Sequence, residues 1–357
     1  MTARMAYGSA NDLGRDRPPG VDAEKAQSRG DTEAFSASLS TTVDWHSAPL
    51  ADDGEAVLEV LERPQRANWR TWLRQLRLHQ WLKNLLIFVP LVAARKVGDP
   101  EMLGAATAGF VAFGCVASAT YIINDLLDLS HDRHHPTKRR RPLAAGLLSI
   151  PPVAAVALGL LAAGSLIAAA LPVEFAQALL LYLCGTVAYS LFLKRSAPLD
   201  TFALAGLYAL RVLAGNAATG LAPSFWLLAF SIFLFLSLAM AKRYAELLRL
   251  GSSGESAPRG RGYLAADRDM VGQLGVASGY ASALVLALYF NSPQAALLYG
   301  RPGFLWLICV LLLYWITHLW LVAHRGQLDD DPVIFAMRDR VSRLVAVIGA
   351  ALLILAR

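Results

Sequence analysis

The chain has 357 residues, of which 55% are hydrophobic and only 17% are charged, and its mean hydropathy is +0.43. A soluble domain typically carries about 25% charged residues, so the composition excludes a string of ordinary soluble domains. Apolar segments near membrane-spanning length recur along most of the chain after its N-terminal quarter. We therefore predict an all-α, polytopic membrane protein.

The N-terminal segment differs from the rest of the chain in charge. Residues 1–68 contain 7 Lys and Arg against 12 Asp and Glu, whereas the remainder contains 26 against 15. Residues 1–67 have no lasting hydrophobic period, which predicts a disordered, acidic tail. The basic residues of the remainder lie in short loops between apolar segments, as cytoplasmic loops of membrane proteins do. We expect no nucleic-acid partner.

Residues 68–83 predict an amphipathic helix that lies at the membrane interface. Apolar residues recur at helical spacing on one face, namely Trp69, Trp72, Leu73 and Leu76. Basic residues recur on another face, namely Arg70, Arg74 and Arg77. An interfacial helix has this division into a Trp/Leu face and a Lys/Arg face. Residues 84–357 then form the transmembrane domain.

Nine segments of the transmembrane domain are candidate spans, at 84–98, 102–123, 152–171, 174–193, 199–218, 222–241, 270–290, 303–323 and 341–356. A helix needs about 20 apolar residues to cross ~30 Å of hydrocarbon, and the first and last segments are short by that measure. Lys and Arg concentrate in the loops after the second, fourth, sixth and eighth spans. The positive-inside rule therefore puts these loops and the N-terminus in the cytoplasm, with the protein in the cytoplasmic (plasma) membrane.

The densest polar cluster follows the second span. Asp125, Asp128 and Asp132 are spaced i, i+3, i+7, which puts their carboxylates on one face of a continuous helix. Like charges on one stripe repel each other unless a cation is present. Mg²⁺ binds a few carboxylates together with substrate phosphates. We predict that these three aspartates hold Mg²⁺ and are the catalytic carboxylates.

The residues that follow these aspartates decide between two interpretations of the spacing. Lys138 and Arg141 supply cations suited to diphosphate oxygens, which favours a binding site over a solvated loop of scattered charges. Zinc is an alternative because three histidines occur here, but no Cys is nearby and a proline interrupts the helix; the histidines are His131, His134 and His135.

The pattern NDxxDxxxDxxHPxKxxRP, which spans 124–142, resembles the UbiA-type intramembrane prenyltransferase superfamily. The resemblance covers the chain from the interfacial helix to its end. Within the superfamily, the chain is most similar to the decaprenyl-phosphate phosphoribosyltransferase branch through residues 80–84, 125–146, 210–215, 242–246 and 331–332. The resemblance implies a helical bundle around a central cavity with a polar cytoplasmic cap. It also implies an isoprenoid lipid substrate and a phosphate-bearing donor, with Asn124 among the binding residues.

One departure from the superfamily pattern concerns the loop after the sixth span. Prenyl-diphosphate users carry a second carboxylate motif, DxxxD, in that loop, whereas this chain has Lys242, Arg243 and Glu246 there. The second motif is therefore more cationic than usual. A polyprenyl phosphate acceptor is already anionic and needs cations but no general base, whereas a neutral aromatic acceptor needs a group that takes its proton.

Four further residues are candidates for substrate binding. Arg211 lies within the fifth span, where an unpaired Arg costs at least ~2.5 kcal/mol, so it is either a phosphate ligand facing the cavity or a structural Arg bonded to backbone carbonyls. We favour the phosphate ligand. Lys83, Tyr189 and Lys194 lie at span ends, where a side chain also reaches the interface without any binding role.

Three functions compete. The first is Mg²⁺-dependent transfer of a 5-phosphoribosyl group from phosphoribosyl pyrophosphate to a polyprenyl phosphate. The second is transfer of a prenyl chain from a prenyl diphosphate to an aromatic or other small acceptor. The third is anion transport, which the intramembrane Arg211 would suit but which does not need a carboxylate stripe. The sequence leaves a homo-oligomer open, and membrane lipids are expected neighbours.

The acidic tail has neither a core-forming pattern nor a cluster of ligands, so we expect it to be dispensable for catalysis. A chain that begins immediately before Asn68 retains the interfacial helix and should turn over substrate at the rate of the full chain. Loss of turnover in well-folded truncated protein would contradict this expectation.

Overall fold

The computed structural model describes residues 68–134, 138–253, 261–301, 303–328 and 331–356, and the predicted tail 1–67 lies outside them. The described residues contain helices and no strands. The α-helices are α1 Trp69–Leu76, α2 Val89–Ala93, α3 Pro100–Leu127, α4 Leu129–His134, α5 Ile150–Ala169, α6 Val173–Leu191, α7 Ala197–Thr219, α8 Phe225–Ser253, α9 Arg268–Phe290, α10 Pro293–Leu298, α11 Gly303–His324, α12 Pro332–Arg338 and α13 Arg340–Leu355. Four 3₁₀ segments, at Leu78–Phe88, Lys138–Arg140, Leu193–Arg195 and Ala265–Asp267, connect some of these helices.

Seven helices in the described residues are long and apolar enough to cross a membrane: α3, α5, α6, α7, α8, α9 and α11. The predicted count of nine spans is not confirmed. The first predicted span, 84–98, overlaps the 16-residue apolar stretch Leu78–Ala93, which combines a 3₁₀ segment with α2. The last is α13, which has 16 residues. Both are shorter than the approximately 20 residues that a straight crossing requires.

The predicted interfacial helix 68–83 ends earlier than expected. Helix α1 stops at Leu76, and Arg77 adopts a left-handed conformation with φ 51°. Trp69 is exposed, while Trp72 and Leu76 pack against a cluster that contains Ile122. The left-handed backbone of a residue with a side chain is uncommon, and it turns the chain from α1 into the 3₁₀ segment Leu78–Phe88. This turn places the side chain of Arg77 next to α3.

Helix α7 is the centre of the packing. It contacts α3, α6, α8 and the 3₁₀ segment Leu78–Phe88. Its buried residues contribute to two clusters, one shared with α8 and α11 and one shared with α3 and α6. Side chains from this helix therefore reach both halves of the bundle.

Gly215 on α7 sets how closely this helix approaches the 3₁₀ segment. A Cβ atom at this position would overlap the backbone carbonyl of Ile87. The obstacle is backbone, so a rotamer change cannot relieve it. Gly206 lies on the same helix with open space around it.

We therefore expect Gly215→Ala to lower the free energy of unfolding by ~1–3 kcal/mol through overpacking. Gly206→Ala should leave stability unchanged or raise it slightly, because Ala is the better helix former. Thermal unfolding of the two variants in the same detergent measures the difference. Equal stability of the two would contradict the close approach seen at Ile87.

Candidate active site

A cavity of 560 Å³ opens at the polar end of the bundle. Its wall is built from α3, α6, α7 and α8, from the segment that includes Arg77 and Lys83, and from the loop that carries Lys138 and Arg141. Apolar residues also line the cavity, among them Leu127, Leu191, Leu204 and Leu207. The cavity wall therefore combines charged and apolar side chains.

Asp125 is the most heavily bonded of the predicted aspartates. It lies near the end of α3, and its side chain is 4% exposed. One carboxylate oxygen accepts from Arg77 Nη2 at 2.7 Å and from Arg141 Nη1 at 3.0 Å, and the other accepts from Gln75 Nε2 at 3.0 Å. Two cations and an amide thus compensate one buried carboxylate.

The three aspartates do not form the continuous stripe that their spacing predicts. Helix α3 ends at Leu127, Asp128 is its C-cap, and the chain starts again as α4. Asp128 is exposed and lines the cavity, whereas Asp132 is buried and does not line it. Asp132 accepts from Arg141 Nη1 at 2.5 Å and lies 3.8 Å from Lys138 Nζ. Asp125 and Asp132 share the contact with Arg141, whereas Asp128 is exposed at the cavity.

The predicted three-aspartate magnesium site stays a prediction. The described residues contain no group of three His, Cys, Asp or Glu side chains close enough to hold a metal ion. Asp125 and Asp128 nevertheless present carboxylate oxygens to the cavity, and Mg²⁺ is commonly held by one or two carboxylates together with substrate phosphates. These two residues fit the ion, whereas the carboxylate of Asp132 does not line the cavity.

Asp331 joins the site from the loop that precedes α12. Its carboxylate forms an ion pair with Lys83, accepts from the backbone N–H of Val333 at 3.1 Å, and lies 3.4 Å from the Tyr208 hydroxyl. Burial by itself would raise the pKa of the Asp331 carboxyl, but the ammonium groups of Lys83 and Lys242 and its hydrogen bonds hold that pKa below its usual range. Asp331 therefore stays ionised and fixes Lys83 at the cavity wall.

Lys242 differs from Lys83 in its contacts. It lies on α8 and lines the cavity, and it forms no side-chain hydrogen bond or direct ion pair with another described residue. Lys194 also lines the cavity and has no such contact within the described ranges. Ammonium groups of this kind are available to an anionic ligand.

Arg211 is buried on α7 and lines the cavity, but its guanidinium is already engaged. It donates to Asn84 Oδ1 at 2.9 Å, to the Leu207 carbonyl at 2.6 Å and to the Tyr182 hydroxyl at 3.0 Å. It also lies over the rings of Tyr182 and Tyr208. The sequence favoured Arg211 as a phosphate ligand, whereas these contacts favour a structural role for its side chain.

Arg243 and Glu246, both predicted to bind substrate, do not line the cavity. Arg243 is buried and forms ion pairs with Asp200 and Glu246. Its Nη2 also donates to the Tyr189 hydroxyl at 3.1 Å. Arg261 completes the group through Asp200 at 3.3 Å and Glu246 at 3.0 Å. Adjacent residues of one motif therefore have different surroundings, because Lys242 and Arg243 point to different sides of α8.

The remaining predicted residues, Asn124, Lys138 and Tyr189, all line the cavity. The structure adds three charged residues that we did not predict, namely Arg77, Arg261 and Asp331. Arg77 was predicted only as part of the basic face of the interfacial helix. Asp331 was noted only because residues 331–332 resemble the phosphoribosyltransferase branch. Arg261 follows a Gly/Ser-rich stretch and was counted only among the basic residues of the loop after the sixth span.

The family follows from comparison with known proteins. Residues 85–343 match the model of the UbiA prenyltransferase family. The chain belongs to this family. It is therefore a multi-pass membrane protein of a transferase family, and the predicted all-α, polytopic fold is confirmed.

Several relatives support this membership. The chain is 41% identical over 288 residues to the uncharacterized protein y4nM of Sinorhizobium fredii, covering 80% of this chain and 56% of that protein, or about half its length. It is 35% identical to nodulation protein NoeC of Azorhizobium caulinodans, covering 79% and 91% of the two chains. It is 31% identical to decaprenyl-phosphate phosphoribosyltransferase of Mycobacterium tuberculosis, covering 78% and 93%. The predicted resemblance to that branch is confirmed.

Solved structures agree on the fold. A UbiA homolog from Archaeoglobus fulgidus bound to GPP and Mg²⁺ superposes with a TM-score of 0.58 at 19% identity, covering 79% of this chain and 99% of that one. A structure of digeranylgeranylglyceryl phosphate synthase gives 0.56 at 15% identity, covering 81% and 98%. At these identities the likeness concerns the fold alone.

The different surroundings of Lys242 and Arg243 make a testable pair. Arg243→Leu removes the main partner of Asp200, whose side chain is fully buried, so we expect a loss of ~3 kcal/mol in the free energy of unfolding. Lys242→Gln breaks no direct contact between described residues and should cost less than ~1 kcal/mol. Thermal unfolding of both variants decides this, and equal losses would contradict the two roles.

Proposed function

We propose that the protein transfers a 5-phosphoribosyl group from phosphoribosyl pyrophosphate to a polyprenyl phosphate and releases diphosphate. The bond between ribose C1 and the diphosphate oxygen breaks, and an oxygen of the acceptor phosphate forms the new bond to C1. The acceptor is already ionised, so the reaction needs no general base. It does need cations that hold two highly charged substrates close together at the membrane surface.

The charge of the cavity wall carries this proposal. Among the described residues, eight basic side chains line the cavity against two carboxylates, Asp125 and Asp128; the basic ones are Arg77, Lys83, Lys138, Arg141, Lys194, Arg211, Lys242 and Arg261. Carboxylates behind the wall, such as Asp331 and Asp200, compensate several of these cations but not Lys242 by direct contact. An excess of positive charge suits a donor and an acceptor that both carry phosphate.

The positions of the residues suggest a separate binding role for each group. Asp125 and Asp128 would hold Mg²⁺, which supplies neutralisation of the diphosphate as it leaves. Lys138 and Arg141, beside them, would bind diphosphate oxygens, and Lys242 and Lys194 would bind further phosphate oxygens. The apolar wall, with Leu204 and Leu207, would receive the first isoprene units of the acceptor, whose remaining chain lies among membrane lipids.

Two further observations support this reaction over its alternatives. The relative from Mycobacterium tuberculosis, which is covered almost along its full length, is named for this phosphoribosyl transfer. Membership of a transferase family favours an enzyme over an anion transporter. The excess of Lys and Arg in the loops that form the cavity mouth favours a cytoplasmic active site.

The reaction is tested with the purified full chain, Mg²⁺, labelled phosphoribosyl pyrophosphate and polyprenyl phosphate. A parallel reaction contains a prenyl diphosphate and 4-hydroxybenzoate. We expect a labelled lipid-soluble product only in the first reaction. Product only in the second would establish prenyl transfer and overturn the proposal.

Lys242→Gln should raise KM for the phosphate-bearing substrates, because it removes a charged hydrogen bond worth ~1.5–3 kcal/mol. Lys96→Gln is a matched control, since Lys96 is exposed in the loop between α2 and α3. It should leave KM unchanged. An unchanged KM in Lys242→Gln would remove this residue from the substrate site.

A further inference from the structure

Arg141 contacts two carboxylates with one nitrogen. Its Nη1 donates to Asp132 Oδ2 at 2.5 Å and to Asp125 Oδ1 at 3.0 Å. Both aspartates are buried, with side chains 2% and 4% exposed, while Arg141 itself is 29% exposed at the cavity wall. A single guanidinium from the loop after α4 therefore bridges the carboxylate that faces the cavity and the carboxylate behind it.

This bridge gives Arg141 two uses that exclude each other. While Nη1 lies against Asp125, its positive charge opposes the approach of a second cation to that carboxylate. A diphosphate in the cavity offers Arg141 a more highly charged partner with several oxygens. When the guanidinium turns toward that partner, Asp125 loses one of its two cations and keeps only Arg77 and Gln75. The carboxylate is then a better ligand for a divalent ion.

We propose that Arg141 exchanges between the Asp125–Asp132 pair and the substrate diphosphate, and that this exchange couples diphosphate binding to divalent-cation binding. The inference rests on the proposed function, since it needs a site that takes both ligands. It adds an order to that function: the cation binds tightly only when a diphosphate has drawn Arg141 away. Metal ion and donor then arrive as a pair, and the aspartates are compensated by the chain itself at all other times.

The surroundings of Arg141 fit this exchange. Lys138 lies 3.8 Å from Asp132 Oδ1, and an ammonium group has three N–H donors, so Lys138 can stay beside Asp132 when Arg141 turns away and still contact the diphosphate. Asp125 likewise keeps Arg77 at 2.7 Å. Neither buried carboxylate is left uncompensated by the movement, which keeps its free-energy cost low. Asp128, which lines the cavity without a side-chain hydrogen bond to any described residue, supplies a second carboxylate for the ion.

Coupling of this kind is reciprocal and measurable with simple probes. Mn²⁺ binding to the full chain in detergent is followed by electron paramagnetic resonance, with and without inorganic pyrophosphate, and corrected for the Mn²⁺–pyrophosphate complex in solution. In the unaltered protein we expect saturating pyrophosphate to tighten Mn²⁺ binding by about tenfold or more, within the usual range of coupling between sites.

Arg141→Gln should change the two single-ligand affinities in opposite directions. Mn²⁺ alone should bind more tightly, because a cation that contacts two carboxylates is gone, and pyrophosphate alone should bind more weakly. The coupling factor should fall below about threefold. A purely structural role for Arg141 would instead weaken both ligands together. Arg140→Gln is the matched control, since Arg140 is the exposed neighbour, and it should retain the full coupling.

Asp132→Asn provides an independent test if Arg141→Gln does not fold. It releases Arg141 from one of its two carboxylates, so pyrophosphate alone should bind more tightly than to the unaltered protein. Unchanged coupling in a folded Arg141→Gln protein, or weaker pyrophosphate binding in Asp132→Asn, would overturn the exchange while leaving the metal–diphosphate site in place. Failure of Mn²⁺ to bind the unaltered protein with or without pyrophosphate would overturn both the exchange and the proposed metal site.

Discussion

Charge compensation of buried carboxylates at one end of an apolar bundle is the constraint on which the site depends. Asp125, Asp200 and Asp331 are all buried, and each is held by a basic residue from another part of the chain. An uncompensated carboxylate at such a position would be strongly destabilising. Asp331 and Lys83 join the loop before α12 to the 3₁₀ segment before α2. Asp200 and Arg243 join the start of α7 to α8. Asp125 and Arg77 join the end of α3 to the residue after α1. Asp125, Arg77 and Lys83 from these pairs line the cavity.

The same constraint explains where the backbone becomes irregular. Helix α1 ends at a left-handed Arg77, and α3 is interrupted at Asp128. Irregular backbone leaves N–H and C=O groups without helix partners, so it is favoured where other polar groups can satisfy them. Both interruptions occur beside Asp125. The turn at Arg77 brings a guanidinium to that carboxylate, and Asp128 at the interruption lines the cavity. Departures from ideal helices thus build the polar mouth.

The family fold leaves the substrate to be set by the side chains at this mouth. Proteins that share this fold have names or structure descriptions with different substrates, so the fold alone does not select among them. In this chain the second motif supplies Lys242 to the cavity, while its Glu246 pairs with Arg243 and Arg261. The carboxylate of the second motif compensates arginines instead of joining the wall. The wall is cationic for that reason, and a cationic wall suits two phosphate-bearing substrates.

The amino-acid sequence determined the membrane fold, the acidic motif and most of the charged residues that line the cavity, including Lys83, Lys138 and Lys242. These features are local, since hydrophobic length and charge spacing report directly on helices and loops. The tertiary structure alone decided that Arg243 pairs with Asp200, that Arg211 is held by Asn84, and that Asp331 belongs to the site. Arg243 and Asp200 lie 43 residues apart in the chain, and Arg211 and Asn84 lie 127 apart. Asp331 and its partner Lys83 lie more than 200 residues apart. A sequence pattern reports on neighbours within a few residues, whereas the choice between a bound ligand and a structural ion pair depends on which distant segments pack together.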